Sequence, residues 1–477
     1  MDYPALGRRR LVLLAAQAAI GLVLALVLIR ATAPGGITYD TSFQLRQATG
    51  EVGFNDWHPV IMALVWKALI AITGSVGSMA VVQVLLAWLG TVLTCYWLLV
   101  TLAKPAWSWA GLSLLVLPFT VNILGTVWKD TQMAIALYLC IVLLLIATVR
   151  PRRALWLLSA AALFLLYAVL VRKNALVVAV PLVAVVCFLW ARARNGAAWF
   201  GRWILASGVS LVVFVGLVFG VGAVISSATH ATKNSQFTQV MLDDLIFAVP
   251  ESAIVKSSAI DDELRQHLLE ARDQCEKDGA IWDAYWRCYG KGEKGDFTGI
   301  AKAEQIQAIW LQEIPRHLGS YLDYRAQTFS AFLNTSTLQL AGTQEFEGLD
   351  IHQEHPRLFQ ALKYYVVDFA FQQAGWLFHG MTWLVFSVIG LGVALRKRQR
   401  DWIAAAVFAA GLLYLATYLP SAPAANYRYV FPAVLTTLLG WAAVLAGRYG
   451  RGAERATAPE AESTPAAEAE TGSQSPA

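Results

Sequence analysis

Charged side chains are scarce in this 477-residue chain: 14% of its residues are Asp, Glu, Lys or Arg, whereas 57% are hydrophobic. An apolar excess of this size, gathered in long runs, is typical of a polytopic membrane protein and not of a soluble one. The formal net charge is +5, but the basic residues occur in short clusters between apolar runs. The charge therefore gives no indication of nucleic acid as a partner.

Cysteine is also scarce, with five in the whole chain. Cys95, Cys140 and Cys187 lie within apolar runs, where cysteine acts as a small packing residue. Cys275 and Cys288 lie in a long polar segment. They are placed to form a disulfide if that segment faces an oxidising compartment.

Apolar runs long enough to cross a membrane predict about ten helices and an all-α polytopic fold. The first run follows Arg8, Arg9 and Arg10 and is too long for a cleaved signal peptide, so we interpret it as an uncleaved helix. The ten runs lie at about 11–30, 77–102, 106–124, 132–149, 154–171, 175–191, 203–226, 374–395, 401–419 and 430–447.

The distribution of basic residues predicts the orientation of these helices. With a cytoplasmic N-terminus, every short basic cluster, such as residues 150–153 and 396–400, falls on the inner side, as the positive-inside rule requires. This count treats residues 59–74 as a helix along the outer interface, since a further span there would put the later clusters outside. The prediction is a multi-pass protein of the cell (inner) membrane with both termini cytoplasmic.

The chain divides into four predicted parts. Residues 1–226 form an N-terminal transmembrane module whose first outer loop is 31–76, and residues 227–373 form a small, mainly helical extracytoplasmic domain. Helices are expected in that domain at 261–271 and about 314–333, the former because acidic residues in a first turn suit the helix dipole. Residues 374–450 supply the C-terminal spans, and the polar tail 451–477 is expected to be cytoplasmic and disordered.

The inner loops are short and basic and contain no nucleotide-binding motif, so side chains suited to chemistry are expected on the outer face. Four separated places there carry them. They are Asp40 with Asp56 and His58, Lys129 with Asp130, Arg172 with Lys173, and Tyr427, Arg428 and Tyr429. A carboxylate can accept the proton of a hydroxyl group, and guanidinium and ammonium groups can hold a phosphate and stabilise the charge that it gains on leaving.

The order of these residues resembles that in the GT-C glycosyltransferases, such as the dolichyl-phosphate-mannose protein mannosyltransferases and the aminoarabinose transferases. Asp40 matches the acidic residue of their first outer loop, His58-Pro59 their His-Pro, and Asp130 the acid that opens their fourth span. Arg172-Lys173-Asn174 matches a basic turn, and Arg428-Tyr429 an Arg-Tyr pair before a proline. The resemblance covers about the first 200 residues and the last 60.

This resemblance implies a GT-C-like bundle in which a sugar passes from a polyprenyl-phosphate carrier to an envelope glycan, lipid or protein acceptor. Asp40 is then the expected general base, with Asp130 as a second acid that positions the acceptor or orients the groups around Asp40. Arg428 is the expected ligand of the donor phosphate. Lys129, Arg172 and Lys173 are expected to assist it, although outer-face cations near a span also contact lipid headgroups.

Several assignments stay open at this stage. Asp56 and His58 either shape the first loop or bind a divalent metal, for which Asp-x-His is weak evidence; no other cofactor is indicated. Tyr427 and Tyr429 are expected to shape the substrate site. Trp282, Tyr285, Trp286 and Tyr289 either stack on a sugar or form the core of the outer domain.

Two further classes of protein fit the same composition. A transporter or flippase of polyprenyl-linked glycans would carry charges at mid-span and broken helices in paired halves, whereas the chain has no internal repeat and its titratable residues lie at span ends. A non-catalytic polysaccharide-assembly protein would tolerate replacement of the acids in the first loop.

Overall fold

The computed structural model describes residues 6–193, 199–290, 298, 302–335, 337, 340–396 and 401–457. The protein is 79% helical, and the described residues include no strand, which confirms the predicted all-α class. Its α-helices are α1 Arg8–Thr32, α2 Tyr39–Thr49, α3 Val60–Thr73, α4 Ser78–Thr101, α5 Ser113–Val116, α6 Pro118–Leu124, α7 Lys129–Val149, α8 Ala154–Val171, α9 Leu176–Ala193, α10 Trp199–Thr229, α11 Phe237–Ala248, α12 Glu251–Lys256, α13 Asp262–Lys277, α14 Ala303–Glu313, α15 Leu318–Asn334, α16 Pro356–Lys363, α17 Gln372–Ala374, α18 Gly380–Ala394, α19 Trp402–Ala416 and α20 Phe431–Thr457.

Shorter helical segments connect several of these elements. The 3₁₀ helices are Pro105–Leu112, Pro151–Arg153, Lys173–Ala175, Ile314–His317, Gly375–Phe378 and Tyr427–Tyr429. The π-helical segments are Tyr285–Tyr289 and Tyr364–Phe371.

Six helices in the described part of the chain are long and apolar enough to cross a membrane, and two bent helix pairs bring the number to eight if each pair is one span. The bends measure 49° and 52°. The predicted spans at 401–419 and 430–447 correspond to shorter apolar helices, Trp402–Ala416 and Phe431–Gly447. A helix of 15 residues such as α19 is roughly 22 Å long, less than the ~30 Å hydrocarbon core. Helix α20 continues past Gly447, but its apolar part ends there. The length of the apolar helices therefore supports six to eight spans and not the predicted ten.

Helix α7 is the centre of the bundle, because 89% of its most apolar stretch is buried inside the protein. It packs against α4, α8 and α20. Residues on all sides of α7 are apolar, including Leu137, Leu139 and Ile141, as expected for a helix surrounded by other helices. The first residues of α7 are consequently fixed in position by the whole bundle.

Two smaller hydrophobic cores lie outside the bundle core. One joins α11, α13 and α14 through residues such as Leu242, Leu264 and Ile306, and it belongs to the segment 227–373 that was predicted to form a domain. The other joins α2 and α3 through Leu45 and Trp66. Each of the two long polar segments, 31–76 and 227–373, therefore has a hydrophobic core of its own.

The predicted helices of segment 227–373 are present with shifted ends. Helix α13 begins where the Asp261 carboxylate accepts a hydrogen bond of 2.8 Å from the amide of Leu264, and it continues to Lys277, beyond the predicted end at 271. The helix expected at 314–333 consists of a 3₁₀ turn followed by α15. A disulfide joins Cys275 in α13 to Cys288 in the π-helical segment.

The first outer loop contains one helix that was predicted and one that was not. Helix α3 occupies the segment expected at 59–74, and α2 precedes it. Both end at a glycine with positive φ, 87° at Gly50 and 70° at Gly74, a conformation that glycine adopts without strain. Helix α20 extends to Thr457, past the predicted boundary at 450; residues 458–477 of the predicted tail and basic residues 397–400 lie outside the described residues.

Candidate functional site

A short backbone pairing brings the first outer loop against the segment that precedes α7. The amide of Gly36 donates to the carbonyl of Gly125 at 2.9 Å, and the amide of Val127 donates back to Gly36 at 3.1 Å. A Cβ atom at Gly36 would meet the carbonyl oxygen of Ala341 and the side chain of Thr126. Only glycine fits this position, so Gly36 sets the distance between the two segments.

Side-chain hydrogen bonds extend this pairing toward the start of α2. The Thr41 hydroxyl donates to the carbonyl of Val127 at 2.8 Å, and the Trp128 indole donates to the Thr38 hydroxyl at 2.9 Å. As a result α2 and α7 begin side by side. Asp40 is the second residue of α2 and Asp130 the second residue of α7, positions at which the helix dipole favours a carboxylate.

Arg428 links the two carboxylates. Its Nη1 atom lies 2.9 Å from Asp40 Oδ2 and its Nε atom 3.9 Å from Asp130 Oδ2. Nη2 donates to the Tyr429 hydroxyl at 2.8 Å, and the guanidinium lies 5.1 Å from the centre of the Trp128 ring. Nε is buried and has no hydrogen-bond acceptor among the described residues. Arg428 is thus held in place with one N–H group unused.

Arg172 forms the second ion pair of the cluster. It pairs with Asp130, whose side chain is 1% exposed, while its own side chain is 14% exposed. Its guanidinium lies 4.7 Å from the centre of the Tyr429 ring and 5.9 Å from that of Tyr418. Tyr429 therefore lies between the two arginines, and Asp130 is enclosed by cations and aromatic rings.

The remaining predicted cations and tyrosines are placed differently. Lys129 is half-buried and lies close enough to Asp40 and Asp130 to interact electrostatically with both. Lys173 is exposed and belongs to none of the ion pairs of this cluster in the described residues. Tyr427 is buried against Phe378 at 5.8 Å between ring centres, so it is not brought to the cluster.

The cluster gathers three cations, Arg428, Arg172 and Lys129, around the two carboxylates Asp40 and Asp130. The Asp283 carboxylate, which also interacts with Arg428 and Asp40, balances the third cation. Burial alone would raise the pKa of Asp40, but the neighbouring cations, with Arg428 foremost, outweigh it and lower the pKa to about 2. Asp40 is therefore ionised at physiological pH, while 31% of its side chain stays exposed.

Asp56 and His58 contact residues of the loops near the cluster. Asp56 Oδ1 accepts a hydrogen bond of 2.6 Å from the amide of Asn234, and His58 Nδ1 lies 3.2 Å from Gln44 Nε2. Burial and the charge of Lys129 lower the pKa of His58 to about 3, so the imidazole is neutral at physiological pH. The described part of the chain contains no group of three or more His, Cys, Asp or Glu residues that could hold a metal ion.

Segment 227–373 contributes one carboxylate, Asp283, that the sequence analysis did not assign to the site, and Trp286, one of the aromatic residues that it left open. The amide of Asp283 donates to the carbonyl of Pro423 at 3.0 Å, five residues before Arg428, and its carboxylate interacts electrostatically with Arg428 and Asp40. Asp283 has a φ of 55°, uncommon for a residue other than glycine. Tyr39 contacts Trp286 edge to face at 5.1 Å between ring centres. No local pattern marks Asp283, because its proximity to Arg428 arises from a tertiary contact.

No family model, curated protein or solved structure matches this chain. The resemblance to the GT-C glycosyltransferases therefore stays a prediction carried by the residues named for it.

Proposed function

We propose that the protein is an integral membrane glycosyltransferase that moves a sugar from a polyprenyl-phosphate carrier to an envelope glycan, lipid or protein acceptor. The observation that carries the proposal is the cluster of Asp40, Asp130, Arg428, Arg172 and Lys129, which gathers three cations and a partly exposed carboxylate at one end of the helix bundle. Four segments far apart in the chain supply it. Such a site suits a ligand whose apolar chain stays among membrane helices and whose phosphate reaches the surface.

The donor phosphate binds at Arg428 in this proposal. The buried Nε atom has no acceptor of its own in the described residues, and a phosphate oxygen supplies one. Because Nε is buried, the guanidinium must turn for a phosphate to reach it, and this turn draws Nη1 away from Asp40, so the phosphate and Asp40 compete for Arg428. Once Arg428 turns to the phosphate, Asp40 loses its closest cation, so its pKa rises and the carboxylate becomes a better base.

The transfer of the sugar then needs no catalytic group beyond those of the cluster. The acceptor oxygen forms a bond to the anomeric carbon of the sugar while the bond from that carbon to the phosphate oxygen breaks. The proton of the acceptor passes to the Asp40 carboxylate, and the polyprenyl phosphate departs with the electron pair of the broken bond. Arg428, Arg172 and Lys129 stabilise the negative charge that collects on it, while Asp130 holds Arg172 in position.

The first test replaces the carboxylate of Asp40 and keeps its size. In cells whose only copy carries Asp40→Asn, we expect surface glycan to be lost and polyprenyl-phosphate sugar to accumulate at normal protein level, because removing a general base lowers rates by roughly 10²–10⁴. Asp273→Asn is the matched control, since it removes an exposed carboxylate that pairs with Lys277 in α13, away from the cluster. Unchanged glycan in the Asp40→Asn cells would contradict the proposal.

A binding measurement separates the donor site from the base. Purified full-length protein is titrated with undecaprenyl phosphate as a probe of the carrier. We expect Asp40→Asn to retain or strengthen binding, because it removes the competitor of the phosphate, and Arg428→Ala to weaken binding at least tenfold. Equal binding by the Arg428→Ala variant and the natural protein would exclude Arg428 as the phosphate ligand.

A further inference from the structure

An open cleft of about 480 Å³ lies between α2 and residues 346–348. One wall is a face of α2 formed by Tyr39, Ser42, Phe43 and Arg46, which are spaced three and four residues apart and so share one side of the helix. The other wall includes Phe346. This volume falls within the 300–1,000 Å³ that is usual for ligand pockets.

Two aromatic rings contact the Tyr39 ring at the side of the cleft that Tyr39 forms. Tyr39 lies 6.5 Å from Phe346 and 5.1 Å from Trp286 between ring centres, yet it is 61% exposed, and Trp286 is 40% exposed. Large exposed aromatic residues that contact one another beside a cleft mark a binding surface. Asp40 itself does not line the cleft, but it lies three residues before Phe43 in α2, so its side chain is at the edge of this surface.

The polar groups of the cleft favour a neutral ligand over an anionic one. Its one lining cation, Arg46, already pairs with Glu51 at 3.6 Å and donates to the carbonyl of Glu347. Glu347 contributes a carboxylate to the lining, and Asp283, three residues before Trp286 and outside the lining, interacts electrostatically with Asp40 and Arg428. Carboxylates accept hydrogen bonds from hydroxyl groups and repel phosphate, whereas aromatic rings pack against the C–H face of a sugar ring.

We propose that this cleft binds the acceptor and that the acceptor is a saccharide. The sugar ring packs on Tyr39 and Trp286, which directs one of its hydroxyl groups to Asp40, and Asp283 accepts a hydrogen bond from a second hydroxyl. This inference rests on the proposed function and narrows its acceptor from glycan, lipid or protein to glycan.

The variants Tyr39→Ala and Trp286→Ala test the role of the aromatic surface. We expect each to lower surface glycan about tenfold, the effect of losing about 1.4 kcal/mol of aromatic contact, while binding of undecaprenyl phosphate stays within twofold of the natural value. Tyr39→Phe and Trp286→Phe keep a ring and are expected to restore most of the glycan. Ile281→Ala, 36% exposed in the same segment of the outer domain, is the control for general disturbance.

The outcomes separate this inference from the proposed function. Full glycan in the Tyr39→Ala and Trp286→Ala cells, together with lost glycan in Asp40→Asn cells, overturns the acceptor cleft and leaves the transferase standing. Full glycan in Asp40→Asn cells overturns the transferase itself. Weaker undecaprenyl phosphate binding in the alanine variants also overturns the inference, since it would assign the surface to the donor.

Amide hydrogen exchange tests the class of acceptor. Full-length protein is incubated with the polysaccharide, lipid or protein fraction from the envelope of cells that lack it, because these cells contain the unmodified acceptor. We expect the polysaccharide fraction alone to slow exchange in Tyr39–Thr49 and Tyr285–Tyr289, and Tyr39→Ala to abolish the effect. Slowing only by the lipid or protein fraction, or by none of the three, would refute a saccharide acceptor.

Discussion

Asp40 and Asp130 occupy equivalent positions in α2 and α7, but their surroundings give them different roles. The Asp130 side chain is 1% exposed and pairs with Arg172, which is itself mostly buried. The Asp40 side chain is 31% exposed and pairs with Arg428 at 2.9 Å. A carboxylate that substrate can reach suits a base, whereas an enclosed carboxylate suits the positioning of its neighbours.

This difference predicts unequal effects on stability. Asp130→Ala leaves the Arg172 guanidinium without its partner, and breaking a buried pair costs about 3 kcal/mol or more. We therefore expect a markedly lower Tm of the full-length protein in detergent, and a smaller fall for Asp40→Asn, because Asp40 pairs with Arg428 but is partly exposed. Adding Arg172→Leu to Asp130→Ala should recover part of the loss. Equal Tm values for the Asp130→Ala and Asp40→Asn proteins would contradict the distinction.

Helix α11 shows how a whole element is fixed by buried polar side chains. Asp243 accepts a hydrogen bond of 2.5 Å from the Tyr289 hydroxyl, which ties α11 to the π-helical segment that also carries Trp286 and Cys288. The adjacent Asp244 pairs with Arg325 of α15 at 2.8 Å. These contacts and the disulfide hold the segment that reaches the site, so the outer domain positions Trp286 as well as covering the cluster.

Asp243 makes the stability of the folded protein depend on pH. Burial, opposed by the Tyr289 hydrogen bond, raises its pKa from 3.8 to about 7. Between these values the folded protein holds a proton that the unfolded chain releases, so this contribution to stability falls as pH rises and is lost above about pH 7. We expect Asp243→Asn, which can still accept from Tyr289, to reduce the fall in Tm between pH 5 and pH 8. The control is Asp273→Asn, at an exposed position in α13, which should leave the fall in Tm unchanged. If the Asp243→Asn variant keeps the natural dependence of Tm on pH, titration of Asp243 is not the cause.

At the scale of the molecule, the cluster and the basic residues 150–153 lie at opposite ends of α7 and α8. The cluster forms where α7 and α20 begin and α8 ends, while residues 150–153 lie at the other end of α7 and α8. By the positive-inside rule the basic end is cytoplasmic, so we propose that the site is extracytoplasmic.

Cysteine labelling of intact cells tests this orientation. Cys95, Cys140 and Cys187 are buried and Cys275 is bonded to Cys288, so the natural protein should react little with a membrane-impermeant maleimide. Asp262→Cys, at a side chain that is 99% exposed, is expected to react in intact cells, and Arg153→Cys only after permeabilisation. The reverse pattern would place the site in the cytoplasm and contradict an envelope acceptor.

The sequence by itself determined the all-α membrane class, because scarce charge and long apolar runs leave helices as the means of satisfying the backbone in lipid. It also indicated most of the charged residues of the cluster, since Asp40, Asp130, Arg172 and Arg428 stand at the ends of apolar runs, where charged side chains are conspicuous. Span number was less predictable, because hydropathy shows neither the bends before Pro118 and Gly380 nor where a helix ends.

Only the tertiary structure decided which residues face one another. The pairing at Gly36, the enclosure of Asp130 by Arg172 and the approach of Asp283 and Trp286 to Arg428 and Asp40 join segments that are far apart in the chain. Tyr427 and Tyr429 show what the sequence does not predict. They are two residues apart in one short 3₁₀ helix, yet Tyr427 packs in the core and Tyr429 lies between Arg172 and Arg428. The pattern of apolar residues along the sequence indicates which side chains avoid water. It does not indicate where a tyrosine side chain points, because the packing of whole helices sets that direction.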